Sequence, residues 1–511
     1  MKNKSNNRHL LYLILITIST CFLGVCYATV SGISLTLSGT AGANLPTTLF
    51  ITNVSYSTSV NANQNSSTIN NYYNTILDST IVLNDSYDST ITYDVTIKNF
   101  SNKKKVYVDT IHGSESQFYS NNLITYDVTG ITSGFVLSPG ESVTVSITFK
   151  HADDLPTYSS NTLNSTLNFK FEDYASYLSD GPTINAKILS LVNNSESNVK
   201  NIVKATKAQF EASGANETDN KISNSGEVTY MWYSSSNKTI YYYSEADKIY
   251  LNPDCTSMFQ NLKHINSLDL TAFDAKYVTT MDLMFYYMTN LHTIDLSSFN
   301  NTTSLTSMAR MFEKCTNLES IDLTNLKTGE VTDMSKVFYE CNNITTINLH
   351  GWDTRKVKTM ASMFCQCKLL TSLDISTFRT PELQNMSNMF NNCQVLPSID
   401  LTHFNTKKVT NMERAITGLY AITSLDLSSF DTSRVSSMRS MLNNLTSCTT
   451  IYASEKFVPG SGNGDTMFTN DTLLVGGYGF TYDPNKVNKT YAVINDADHE
   501  GYFTYKAYID N

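Results

Sequence analysis

Two cysteines one residue apart, Cys365 and Cys367, open the segment MFCQCKLLTSLDIS. A thiol pair at that spacing can clip a metal, cycle as a redox pair, contribute to disulfides, or do no chemistry at all. A second group recurs every 26 or 27 residues: Asp269, Asp295, Asp322, Asp374, Asp400 and Asp426, with Asn348 filling the gap in the series. Aligned carboxylates can hold cations, dock a partner, or accept hydrogen bonds from neighbouring Ser and Thr. Asn348 favours the last reading, because it keeps the acceptor and drops the charge. Two shorter motifs fall short of their chemistry. Asp496-Ala-Asp498-His-Glu500-Gly501 begins like an EF-hand loop, yet Ala507 stands where the bidentate Glu belongs. GSGNGD at 460–465 lacks the preceding strand and following helix of a phosphate cradle. The eight histidines occupy unrelated positions, and no Gly-x-Ser-x-Gly or His-Glu-x-x-His occurs. No catalytic residue, metal site or cofactor is expected.

What positions these residues is a repeat. Ile265, Leu291, Leu318, Ile344, Leu370, Leu396 and Ile422 follow one another at 26 residues, with one step of 27. Each unit reads approximately L-x-x-I-D-L-S-x-F-x-T-x-x-x-V-x-x-M-x-x-M-F-x-x-C-x-x. The first half has period two: in LESIDLTNL, Ile321 and Leu323 face one way while Ser320, Asp322 and Thr324 face the other, as a strand requires. The second half has apolar residues every three or four positions, here Val331, Met334, Val337, Phe338 and Cys341, which predicts one face of a helix. Thr332, Thr279, Thr410 and Ser436 stand where helix N-caps belong. A strand and a helix of this length cannot bury their faces alone, so the units must stack. The expected fold is multidomain: an N-terminal all-β sandwich followed by an α/β leucine-rich-repeat solenoid with terminal caps.

Register then separates the two cysteines. Cys315, Cys341, Cys367 and Cys393 share a column that Leu262, Met288, Leu419 and Leu445 fill in other units. A column that accepts Leu or Met is buried, and free cysteine suits it as a small hydrophobe. Cys365 shares its column with Tyr286, Glu313, Tyr339, Asn391, Thr417 and Asn443. That polar, variable set predicts an exposed thiol, either a chance surface cysteine or a site of intermolecular pairing or oxidation. The aspartates flank the inward Ile and Leu and so face outward. The candidate binding face comprises Asp269, Asp295, Ser320, Asp322, Thr324, Asp374, Asp400, Ser424, Asp426 and Ser428.

Upstream, alternating runs such as Ile91-Tyr93-Val95-Ile97 and Val143-Val145-Ile147-Phe149 read as half-buried antiparallel strands. At the start, Lys2, Lys4 and Arg8 precede an apolar stretch from Leu10 to about Val25, closed by Cys26-Tyr27-Ala28. This reads as a secretory signal, and it falls short of the about 20 apolar residues of a membrane span. LPTTL at 45–49 has no C-terminal position or apolar tail behind it and is no sorting signal. The expected organisation is a signal peptide over 1–28, a β-sandwich over 29–180 and a helical connector and linker over 181–225. An N-terminal cap over 226–264, seven units and a partial eighth over 265–453, and a C-terminal cap over 454–511 complete it. A net charge of −10 with no basic stripe argues against nucleic acid. Only 16% of residues are charged, with Ser, Thr, Asn and Tyr filling the gap, which suits an extracellular surface.

The units, of which ITSLDLSSFDTSRVSSMRSML is an example, resemble those of the BspA-like leucine-rich-repeat surface proteins of bacteria. VTYMWYSSSNKTIYYYSEADKIYLNPDCTSMF and GYGFTYDPNKVNKTYAVINDADHEGYFTYK look like that family's lead-in and C-terminal cap, so the likeness runs from about Gly226 to the end. LSPGESVTVSITF is similar, more weakly, to immunoglobulin-like modules. The resemblance implies a secreted, extracellular cell-surface protein that adheres to a host or bacterial surface protein or glycan. The alternative is a structural stalk or surface-layer component without a dedicated ligand. No nucleic acid partner, and no transmembrane span beyond the signal segment, is expected.

Overall fold

The structure is a computed structural model that describes residues 13–19, 31–39, 49–58, 62–70, 75–83, 90–100, 104–112, 124–151, 164–460 and 462–508. It divides into two compact units, Met1–Tyr174 and Ala175–Asn511.

The first unit holds two antiparallel sheets. One contains β1 (Leu13–Ser19), β2 (Ser31–Gly39), β4 (Ala62–Asn70), β5 (Thr75–Leu83), β7 (Lys105–His112), β9 (Val136–Leu137) and β11 (Asn164–Asp173), in the order β4-β5-β2-β1-β11-β7-β9. The other contains β3 (Leu49–Thr58), β6 (Thr90–Asn99), β8 (Ile124–Thr129) and β10 (Ser142–His151), in the order β3-β6-β10-β8. Tyr93, Val95 and Ile97 are buried on β6 opposite Val143, Val145 and Ile147 of β10. Between them the outward residues pair across strands, Ser146 donating to Asp94 at 2.5 Å. Asn99 ties β6 to β9 by donating to the Leu137 carbonyl at 2.9 Å. Most of the expected secretory segment lies outside the described residues. The part that is described, β1, pairs with β2 and β11. LPTTL likewise lies outside them apart from Leu49.

The second unit corrects the expected fold. Helix makes up 7% of the structure, and among the described residues every α-helix lies between Gly181 and Asn220, ahead of the repeats. The α/β leucine-rich-repeat solenoid is therefore not formed, because the M-x-x-M-F half of each unit is not helical. The reason is where its N–H groups go. Met334, Lys336, Phe338 and Glu340 donate to the carbonyls of Thr359, Ala361, Met363 and Cys365 in the following unit, at 2.8–3.0 Å. The intervening Tyr339 and Cys341 close tight turns onto Lys336 and Phe338 at 3.1 Å. A helix would have sent all of these donors back four residues. Left-handed residues enforce the difference: Lys336 and Glu340 have φ of 57° and 59°, and Ser362 and Gln366 repeat the pattern at 57° and 67°. Such conformations do not occur inside a right-handed helix. Nor are the expected N-caps caps. Thr279, Thr332, Thr410 and Ser436 donate their hydroxyls to carbonyls of the preceding unit, at 2.9–3.3 Å.

What remains of the expectation is the stacking itself. Parallel bridges run Asp254–Thr280–Ser307–Asp333–Thr359–Asn385–Asn411–Ser437–Asn463, one per unit. On the other side, β20 (Ser320–Asp322), β21 (Thr346–Asn348) and β22 (Ser372–Leu373) pair in parallel, as do β23 (Ser424–Leu427), β24 (Thr450–Ala453) and β25 (Phe503–Tyr505). Between the two sides lies a core of columns. Phe259, Phe285, Phe312, Phe338, Phe364 and Phe390 stack with centroids 5.2–5.8 Å apart and rings within 9° of parallel. Ile416, Leu442 and Phe468 continue that column, all fully buried. A buried threonine column fastens the corner of each unit. The Thr354 hydroxyl donates to the Arg379 carbonyl at 2.8 Å and accepts the Arg379 N–H at 2.9 Å, and Thr302, Thr328, Thr380 and Thr406 make the same two-way bridge.

Residues 181–225 are not a connector. α1 (Gly181–Leu191), capped by Asp180, buries Ile184 and Ile188 in the same core as the repeats. It starts tight against the segment that leads into the repeats, where a Cβ on Gly181 would lie 2.3 Å from the Thr256 carbonyl. β13 (Asn201–Lys204) then joins a sheet with β15 (Thr229–Ser234), β16 (Thr239–Ser244) and β18 (Ser267–Leu268). Farther along the same stretch lie α2 (Lys207–Ser213) and α3 (Glu217–Asn220). β14 (Ser223–Gly226) follows and pairs with β12 (Ala175–Leu178).

Candidate functional site

The aspartates stand on the strand side, where Ser320, Asp322, Asp374, Asp400 and Ser424 are exposed and Thr324 is half-buried. Each column member closes a turn. Oδ1 of Asp322 accepts the Thr324 N–H at 3.0 Å and hydroxyl at 2.8 Å, and Asp374 does the same with Ser376 at 3.0 and 2.6 Å. Asp269 and Asp400 repeat it with Thr271 and Thr402, while Asp295 and Asp426 take the N–H of Ser297 and Ser428. Asn348 keeps the turn through His350 at 3.3 Å. These bonds favour the charged form. The Thr324 N–H and hydroxyl hold Asp322 below the usual carboxylate range, and the Ser376 hydroxyl and N–H do so for Asp374.

With Oδ1 committed to the turn, the second oxygen is what the face presents. Among the described residues, Oδ2 of Asp295, Asp374 and Asp400 accepts no hydrogen bond. At the ends of the row it does. Lys506 sits 2.5 Å from Asp426 Oδ2, and the Lys204 N–H donates to Asp269 Oδ2 at 3.4 Å. Ser428 is a correction: it is 5% exposed and serves the Asp426 turn from within.

Cys365 is a second correction. It is 4% exposed, and burial, with Glu340 adding to it, pushes its thiol up to about 12. Its column is polar without being open. Glu313, in the same column, is 2% exposed and accepts from Nε and Nη2 of Arg310, at 2.6 and 3.3 Å. The Thr417 hydroxyl donates to the Ser440 carbonyl. Glu313 and Thr417 are satisfied locally, so polarity along the column does not mark exposure. Cys315, Cys341, Cys367 and Cys393 are fully buried free thiols, and each donates to the carbonyl of a column Phe in the preceding unit at 3.1–3.3 Å. Burial raises these thiols too, which makes them poor nucleophiles. Among the described residues no group of three or more His, Cys, Asp or Glu is placed to hold a metal.

The face also extends where the repeat pattern does not reach. Leu268 pairs with Ile202 and Asp269 donates to the Ile202 carbonyl at 2.9 Å, so Asp269 follows Val203 in the row. Val203 is in register with Tyr241, and Tyr241 with Trp232. The alternate residues Met231, Ile240, Tyr242 and Ile202 are buried beneath. Trp232 and Tyr241 therefore head the row of aspartates. The signal for this lay in the alternation of TYMWYS and TIYYYS, which period-two reading alone could not attach to the repeats.

Residues 253–372 and 335–454 each match the family model described as "Mycoplasma protein of unknown function, DUF285". The two overlapping matches fall on the stacked units and cover less than half of the chain. No curated protein and no solved structure matches it. No helix among the described residues is long and apolar enough to cross a membrane.

Proposed function

We propose that this chain is an exported surface protein that binds a protein or glycan of another surface through its aspartate face. The observation that carries the reading is the row of exposed carboxylates, of which Asp295, Asp374 and Asp400 have one oxygen fixed by the turn and the other outward. Rigid, preorganised charges on a stacked scaffold favour recognition, since little entropy is lost on contact. The sequence resemblance to bacterial surface proteins and the uncharged polar composition point the same way.

The test is a screen of the full chain against cells, matrix proteins and glycans, repeated with Asp322→Asn, Asp374→Asn and Asp400→Asn combined. Asn348 indicates that an amide keeps the turn, so this variant should melt like the parent. Saturable binding that drops about tenfold in the variant, from three exposed charges at about 0.5 kcal/mol each, supports the reading. Unchanged binding defeats it. Self-association without saturable binding favours the structural stalk.

A further inference from the structure

We propose that the aromatic head of the face, Trp232 with Tyr241, docks a cationic segment of a polypeptide partner, an extended lysine- or arginine-bearing stretch that continues over Asp269 onto the aspartate row. This rests on the binding reading above and names the chemistry of the partner.

Trp232 and Tyr241 lie opposite each other in the β15–β16 pair, with centroids 5.7 Å apart and planes 23° from parallel. Both are half-buried and stand on the outward side. Their orientation is fixed from both flanks. Phe210 of α2 packs 6.0 Å from Trp232, and Asn237 donates to the Tyr241 hydroxyl at 2.8 Å. Strands sit about 4.8 Å apart, so the row Trp232–Tyr241–Val203–Asp269 spans about 14 Å, the reach of four or five extended residues.

Ring faces and carboxylates attract the same thing, a cation. Two nearby cations are engaged elsewhere: Lys207 pairs with Glu245 at 2.8 Å and Lys248 with Asp274 at 3.5 Å. Lys204 is the internal charge that reaches Asp269. The opposite end of the row displays the docking mode within the chain itself. There Lys506 sets its ammonium 2.5 Å from Asp426 Oδ2 and 5.5 Å from the ring centre of Tyr452, the residue paired with Asp426 on the next strand. A carboxylate and an aromatic ring on nearby strands of this face thus already hold a lysine.

The chain contains two tryptophans, and Trp352 is buried with its indole N–H on the Leu323 carbonyl, so a ligand-induced change in emission reports on Trp232. The full chain is titrated with a (Lys-Gly)6 peptide, a (Glu-Gly)6 peptide and a neutral N-acetylglucosamine hexasaccharide. Expected is a saturable emission change with the lysine peptide alone. A labelled copy of that peptide should bind about fivefold more weakly to Trp232→Ala and Trp232→Leu, while Tyr478→Ala, which removes a remote ring that is 73% exposed, binds like the parent. Trp232→Leu keeps apolar bulk, and a melt of each variant confirms folding. Equal peptide binding by Trp232→Leu and parent would reduce the attraction to bulk negative charge and overturn the proposal. So would an emission response to the sugar and not to the lysine peptide. If the triple Asp→Asn variant loses partner binding while both Trp232 variants behave as the parent, this inference fails and the broader binding reading stands.

Discussion

The two halves of every unit meet the same neighbours by different rules. In the strand half, as in Ser320–Asp322 beside Thr346–Asn348, side chains alternate and backbone pairs with backbone across units. In the turn half, as in Met334 to Cys341, side chains recur every three or four residues in helical fashion, yet alternate N–H groups still pair across units. The comparison separates two questions that a hydrophobic period merges. Period tells which side chains point inward; it does not tell where the backbone donors go. In a helix, local bonds satisfy the backbone. Here each turn half depends on the next unit, so its order is bound to stacking.

The largest test of that dependence is Phe338→Ala. It opens a void in a fully buried ring column on the turn half and should cost about 3–5 kcal/mol in urea unfolding. A loss under 1 kcal/mol would mean the column is not the common core of the two halves. A second large effect concerns pH. Asp471 occupies the column of Leu419 and Leu445 in the last unit, fully buried, with Oδ1 on the Leu445 N–H at 2.7 Å and Oδ2 without a hydrogen bond. Burial raises it from 3.8 to about 8. The folded state then holds a proton that the unfolded chain releases, so stability from this group is full at low pH and falls as pH rises between those two values. Asp471→Asn should abolish that decline and be more stable than the parent at pH 8. Parallel pH curves for the two proteins would refute it. Asp295, Asp322 and Asp374 act in the opposite sense, and only below the usual carboxylate range, because their turn hydrogen bonds lower their folded values.

Thr354→Val removes a buried hydroxyl and strands both backbone groups of Arg379 that it serves, which should cost about 1–3 kcal/mol. Thr410→Val, at an exposed hydroxyl of the other column, should cost less than about 0.5 kcal/mol. Equal losses would erase the distinction between the two hydroxyl columns. The smallest effect carries the sharpest sign. In a helix, Gln366→Gly would destabilise by about 1 kcal/mol. At φ of 67° it should be neutral or stabilising, and Gly418 already holds the equivalent place in a later unit at φ of 70°. A clear loss on thermal melting would favour the helix.

Much of the second unit was legible because burial is a matter of local pattern. The inward placing of Cys367 and the turn at each column aspartate both follow from residues within a few positions. Cys365 was misread because its cover comes from the preceding unit, where Lys336 and Glu340 lie close enough to act on its thiol. The stretch 181–225 reads as a connector because its polar residues mark exposed helix faces and loops, while Ile184, Ile188, Val192, Val199, Ile202 and Ile222 join a core completed by residues farther along the chain.

By itself the sequence determined the 26-residue period, the inward apolar columns, and the local turns that Asp, Ser and Thr close. Only the tertiary structure decided that donors spaced like a helix would bond to the next unit, and that the aspartate row would begin at Trp232 and Tyr241. The physical reason is range. Side-chain periodicity and turn chemistry act within a few residues, whereas a backbone donor's partner depends on which distant segment stacks beside it.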